Sequence, residues 1–164
     1  MAERNVSITM WGFPEGGWIE WYSDIKTLMK QLGYENTHIG LMSDHYTSGK
    51  LLTVVRKEKE IIKKITEGEI PRSFSCYSLP KEYKIASFDY NIMCERNASY
   101  MSVIIKESDY DTANECLIVS VMKKYIRLEY GEIYSSIVSE MPLLYAETNN
   151  SNNLKSYVFI KNIE

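Results

Sequence analysis

The chain has 164 residues, about one domain by length, with 45% hydrophobic and 25% charged residues, the balance of an ordinary folded protein. Its formal net charge of −3 lacks the basic excess that a nucleic-acid binder uses to neutralise phosphates. No apolar run approaches the ~20 residues that span a bilayer, and the charged opening MAERNVSITM is expected to carry no signal-peptide core.

Residues 6–11 alternate, which predicts a strand with Val6, Ile8 and Met10 on one side and Ser7, Thr9 and Trp11 on the other. Residues 12–17, GFPEGG, read as a turn or short loop. A helix follows, because Trp18, Trp21, Tyr22, Ile25, Leu28, Met29 and Leu32 recur at steps of three and four; Gly33 stands where a C-cap glycine belongs. Trp18 and Trp21 lie on that stripe and are expected to anchor the helix to a sheet. Trp11 ends a strand on the side away from the apolar set, so core and contact roles both stay open for it.

Residues 36–42 are expected as a strand and 43–49 as a polar loop. Residues 51–65 become helical in their second half, with Ile61, Ile62 and Ile65 sharing a face opposite Glu60, Lys63 and Lys64; Gly68 and Pro71 end it. A β-meander over 73–79, 83–95 and 98–106 breaks at Pro80 and around Arg96 and Asn97. Asp109 or Asp111 caps a further helix, which Ala113, Leu117, Val121, Met122, Tyr125 and Ile126 carry to about residue 129. Residues 133–146 are ambiguous, with Pro142 breaking any helix through them. Residues 149–153 form a polar turn and 157–160 a closing strand. Together these elements make a single α+β domain over residues 1–164, a largely antiparallel sheet with helices packed on it.

Tests for chemistry return little. His38 and His45 have no partner at metal-ligand spacing, so no metal and no cofactor are expected. Ser48-Gly49-Lys50 suggests a phosphate loop, but Asp44 and Leu51 occupy positions that need glycine and a hydroxyl residue. No nucleophile elbow is present, and no catalytic residue is assigned. Cys76, Cys94 and Cys116, odd in number and far apart, fit reduced thiols serving as small buried hydrophobes and point to the cytoplasm.

Charge is more informative. Residues 50–64 carry Lys50, Arg56, Lys57, Lys59, Lys63 and Lys64 against Glu58 and Glu60, which a solvated helix face with pairs such as Glu60–Lys64 explains. Residues 107–154 have the opposite bias, with tyrosines among the acids. They read either as a solvated surface with carboxylates suited to helix N-termini, or as a docking face for a basic partner. On the second reading the contact residues are Asp109, Tyr110, Asp111, Glu115, Glu129, Tyr130 and Glu132, together with Trp11.

The N-terminal strand ending in Trp11-Gly12, the helix pattern Trp18-x-x-x-Tyr22-x-x-Ile25-x-x-Leu28-x-x-x-Leu32 and the closing Tyr157-Val-Phe-Ile strand resemble small α+β immunity proteins of bacterial polymorphic-toxin and contact-dependent growth-inhibition systems. That resemblance implies a cytoplasmic, non-enzymatic inhibitor that binds the C-terminal domain of a cognate toxin, often a nuclease, and occludes its active site. It implies no membrane and no nucleic-acid partner, and it transfers no contact residue. Two other classes stand beside it: a small enzyme with a carboxylate-based site, and a nucleic-acid-binding module using residues 50–64 and the meander tyrosines.

Overall fold

Alternation in the first strand decides the layering of the molecule. In β1 (Arg4–Pro14), Val6, Ile8 and Met10 are fully buried on one face, while Ser7, Thr9 and Trp11 point to the other. The computed structural model of the protein describes residues 2–164. β1 lies inside an eight-stranded sheet, paired antiparallel with β6 (Tyr100–Lys106) and β7 (Ile126–Ile137). The sheet also contains β2 (His38–Met42), β3 (Leu52–Thr53), β4 (Ser73–Ser78), β5 (Ile92–Asn97) and β8 (Val158–Ile163). Their order is β3-β2-β4-β5-β6-β1-β7-β8, with every neighbouring pair antiparallel. This is a single α+β domain with an open antiparallel sheet.

Three helices cover the apolar face: α1 (Trp18–Gln31), α2 (Val54–Thr66) and α4 (Thr112–Met122). Trp21, Ile25, Leu28, Ile61, Ile118 and Met122 descend from them onto Ile8, Ile39, Phe74 and Val103 of the strands. Burying a large aliphatic side chain of this kind stabilises by about 1.5–3 kcal/mol, so this layer is the main source of stability. The other face is largely polar; α3 (Ala86–Asp89) and α5 (Pro142–Thr148) pack on it over two smaller apolar clusters.

Arg96 links the sheet to the segment before α1. It is 3% exposed on the apolar face and donates to the Gly16 carbonyl at 2.9 Å and the Gly17 carbonyl at 3.2 Å. Its guanidinium lies 4.3 Å from the Trp18 ring centre, and burial lowers its pKa. Trp18 in turn stacks on Phe74, and Trp21 is buried against the same ring. Both tryptophans therefore anchor α1 to the sheet.

Several boundaries differ from the sequence reading. The expected turn at 12–17 is strand as far as Pro14, because a bulge at Gly12 keeps β1 paired with Leu128, Arg127 and Ile126. A Cβ at Gly12 would lie 2.1 Å from the Arg127 carbonyl oxygen, so only glycine permits this approach. The same pairing ends the helix expected to reach residue 129: α4 stops at Met122, and residues 126–129 belong to β7. Within 83–91 no strand forms. Asp89 accepts the backbone N–H groups of Lys84 and Ile85 at 2.7 and 2.8 Å and closes the short α3 instead. α2 starts at Val54, earlier than expected, with the Val54 N–H bonded to the Thr37 carbonyl. Pro142 opens α5, where its missing N–H costs nothing. Cys76 and Cys94 are buried cross-strand neighbours, but Cys116 is exposed. The Glu60–Lys64 pair gives way to a Tyr46 hydroxyl and Lys57 on Glu60.

The end of α1 matches its sequence signal. Gly33 adopts φ +92°, its N–H reaches the Lys30 carbonyl, and the Tyr34 N–H reaches the Met29 carbonyl, which together close the helix. A Cβ at Gly33 would meet no atom within 4 Å. Gly33→Ala is therefore expected to cost about 1 kcal/mol in urea unfolding, through backbone conformation alone; a neutral substitution would show that this cap does not hold α1.

Candidate functional site

On the polar face the strand registers align one continuous row. Gly40 pairs with Ser75, Ser75 with Glu95, Glu95 with Ser102, Ser102 with Thr9, and Thr9 with Glu132. The Thr9 hydroxyl bonds those of Ser102 and Tyr134 at 2.9 and 3.0 Å. With strands about 4.8 Å apart, the two carboxylates of the row stand three strand spacings, about 14 Å, from each other. They occupy different surroundings.

Glu132 is 1% exposed and is held by phenols. Tyr145 of α5 donates to it at 2.8 Å and Tyr130 at 2.6 Å, and Tyr157, just before β8, donates as well. Trp11 stacks on Tyr130 with ring centres 5.3 Å apart and donates its indole N–H to the Ala146 carbonyl at 2.7 Å. Burial, and then the bonds to Glu132, push the Tyr130 and Tyr157 phenols above their ordinary range. The carboxylate spends its acceptor sites on fastening α5 and the start of β8 to the sheet. It faces α5, not solvent, so the sequence reading of Glu132 as a surface contact meets a buried group.

Asp109, Tyr110, Asp111 and Glu115 lie on the helical side. Asp111 caps α4, accepting the Asn114 N–H at 2.8 Å. Asp109 accepts the Tyr34 hydroxyl, and burial with this bond raises Tyr34 to about 12. Tyr110 donates to Glu115, which also forms a 2.6 Å ion pair with Lys161 of β8. Burial alone would raise Glu115, but Lys161 and Tyr110 hold it below the usual carboxylate range. Of the eight residues, Asp111, Glu129 and Tyr130 are exposed, while Trp11, Asp109, Tyr110 and Glu115 are partly covered. The fold thus divides the acidic–tyrosine segment between two faces. Both groups nevertheless end at β8, one through Glu115–Lys161 and the other through Glu132–Tyr157.

Two features were not found from sequence. The first is the place of the closing strand expected at 157–160: as β8 it ends the sheet, and Val158, Phe159 and Ile160 on it are 52%, 50% and 36% exposed. An unbroken apolar run usually marks a buried strand, so only the topology reveals an edge. The second is a cavity of about 150 Å³ beside Glu95. Strand register sets Glu95 on the polar face, and no sequence signal marked it or the roof over it.

Compared with known protein families, curated proteins and solved structures, the chain matches none of them. Among the described residues no helix is long and apolar enough to cross a membrane.

Removing the Glu132 carboxylate strands the buried Tyr145 hydroxyl and frees Tyr157. Glu132→Ala should therefore cost about 3 kcal/mol in urea unfolding; a cost below about 0.5 kcal/mol would deny the carboxylate its fastening role. The raised phenols add an alkaline signature. The unfolded chain gives up these protons first, near pH ~10, so their contribution is complete below that pH and is lost as pH rises further. Glu132→Ala should make the tyrosinate absorbance rise at lower pH than in the unaltered protein.

Proposed function

We propose that this protein is an inhibitor of the immunity type, which binds the C-terminal domain of a cognate toxin in the cytoplasm and covers its active site. The observation that carries the reading is the edge strand β8, with one row of backbone N–H and C=O groups unpaired and three apolar side chains exposed. Folded proteins ordinarily blunt such an edge with charge, proline or a covering element. Left open, it suits the addition of a strand from a partner, in which main-chain hydrogen bonds give affinity and alternate side chains give specificity.

Two anchors keep that edge in place before any partner arrives, the Glu115–Lys161 ion pair on one face and the Tyr157–Glu132 bond on the other. A preordered strand loses less entropy on binding than a mobile one. Exposed Glu129 comes two residues before Gly131, which pairs with Ile163 of β8, and exposed Asp111 one turn before Glu115, which pairs with Lys161; such carboxylates would steer a basic toxin domain such as a nuclease. Buried Glu132 plays no direct part in that contact.

The test is protection. Cells expressing the toxin domain encoded beside this gene should survive when this chain is co-expressed. The double variant Val158→Lys, Ile160→Lys should lose at least 100-fold in affinity for that domain, about 2.7 kcal/mol, while keeping the melting temperature of the unaltered protein. Full protection and unchanged affinity in that variant would remove β8 as the binding edge. Absence of binding by the unaltered chain would remove the inhibitor reading altogether.

A further inference from the structure

The cavity beside Glu95 lies over β2, β4 and β5, at the far end of the sheet from β8, and does not depend on the inhibitor reading. Its floor is made of small side chains on neighbouring strands: Gly40, Ser73 and Ser75. A Cβ at Gly40 would come within 2.6 Å of the Ser75 hydroxyl and 3.7 Å of both Leu51 and Tyr77, so the absence of a side chain there leaves the space open. Tyr77, Tyr90 and Met93 wall it. Met141 and Leu143, flanking the start of α5, roof it, and exposed Gly49 and Ser87 at its rim connect it with solvent.

Glu95 supplies the charge. Among the described residues no cation forms an ion pair with it, and none of the lining residues is lysine, arginine or histidine. The ionisable groups acting with it are Glu147 from α5, which adds negative potential, and the phenols of Tyr77 and Tyr100; Ser75 and Asn97 are its polar neighbours. Such a lining repels anions and favours a cation, which the carboxylate neutralises and tyrosine faces attract. An apolar cavity of the same volume takes a ligand of about six non-hydrogen atoms, and three methionines (Met42, Met93 and Met141) let this one adapt its shape.

We propose that this cavity binds a small primary alkylammonium ion, with Glu95 as its counter-ion, the serine hydroxyls of the floor as hydrogen-bond acceptors and Tyr77 and Tyr90 as its walls. Burial raises the Glu95 carboxyl to about 8, so below that pH the empty site is mostly neutral, and cation binding must release the proton. Affinity therefore rises with pH up to about 8 and levels off above it.

The test uses the full chain, n-butylammonium chloride as cationic probe and n-butanol as its neutral counterpart. The methyl NMR signals of the methionines are followed at pH 6 and pH 9. The proposal expects saturable shifts of Met42, Met93 and Met141 with butylammonium, at least tenfold tighter at pH 9, and no such pH dependence with butanol. Glu95→Gln keeps the side-chain shape and should lose both the tighter binding and its pH dependence; Ser75→Val, which fills the floor, should lose binding at both pH values. Absence of saturable shifts at those methionines, equal affinity for butanol and butylammonium at pH 9, or unchanged binding in Glu95→Gln would each overturn the proposal.

Discussion

The two-residue period of β1, set inside the sheet between β6 and β7, governs the rest of the molecule. With β6 on one side and β7 on the other, β1 fixes the register of both halves, so the side of Val6, Ile8 and Met10 becomes the apolar face throughout. A slip of one residue would turn that set toward α5 and put Ser7 and Thr9 under α1. Because both faces of the sheet are covered, the polar face must satisfy hydrogen bonds away from water, where an unpaired polar group costs about 1–3 kcal/mol and a made bond contributes about 1. The Thr9–Ser102–Tyr134 bonds and the phenols on Glu132 do this for the middle of the row. The polar atoms of Asn5, Ser7 and Ser136 are buried without a protein partner among the described residues, so this face stabilises less than its opposite.

That asymmetry separates structure from interaction. The helical face supplies stability through α1, α2 and α4 and leaves little apolar surface free. The polar face fastens α5 and the approach to β8 through one carboxylate and three phenols. It thereby holds an apolar edge strand in position at one end of the sheet and leaves a carboxyl-lined cavity at the other. Sheet edges and cavities arise from the order of strands, and the order here places β8 outermost and the small residues of β2 and β4 side by side.

What could be read from the sequence follows from how local each signal is. The alternation of residues 6–11, the α1 stripe and the Gly33 cap are complete within a few turns of chain, and they match the structure. Residues 123–129 were misread because Met122, Tyr125 and Ile126 satisfy both a helical and a strand spacing; pairing with Gly12, Phe13 and Pro14, over a hundred residues away in sequence, decides between them. The acids of the 107–132 segment look alike in sequence, yet Asp111 caps a helix, Glu115 pairs with Lys161, and Glu132 lies under α5. Each of those fates depends on a partner that no local pattern names. Glu95 carries no local signal of a cavity, because its roof comes from the segment around residue 141 and its rim from residues 49 and 87.

The account stands most directly on the outward-facing amides of β8. Hydrogen–deuterium exchange of the full chain, with and without the toxin domain proposed as its partner, reads them one by one. The account predicts that those between Val158 and Ile163 slow at least tenfold in the complex, while β2 and β4 keep their free rates. A complex in which β8 exchanges at its free rate, with protection falling on other strands or helices, would contradict it.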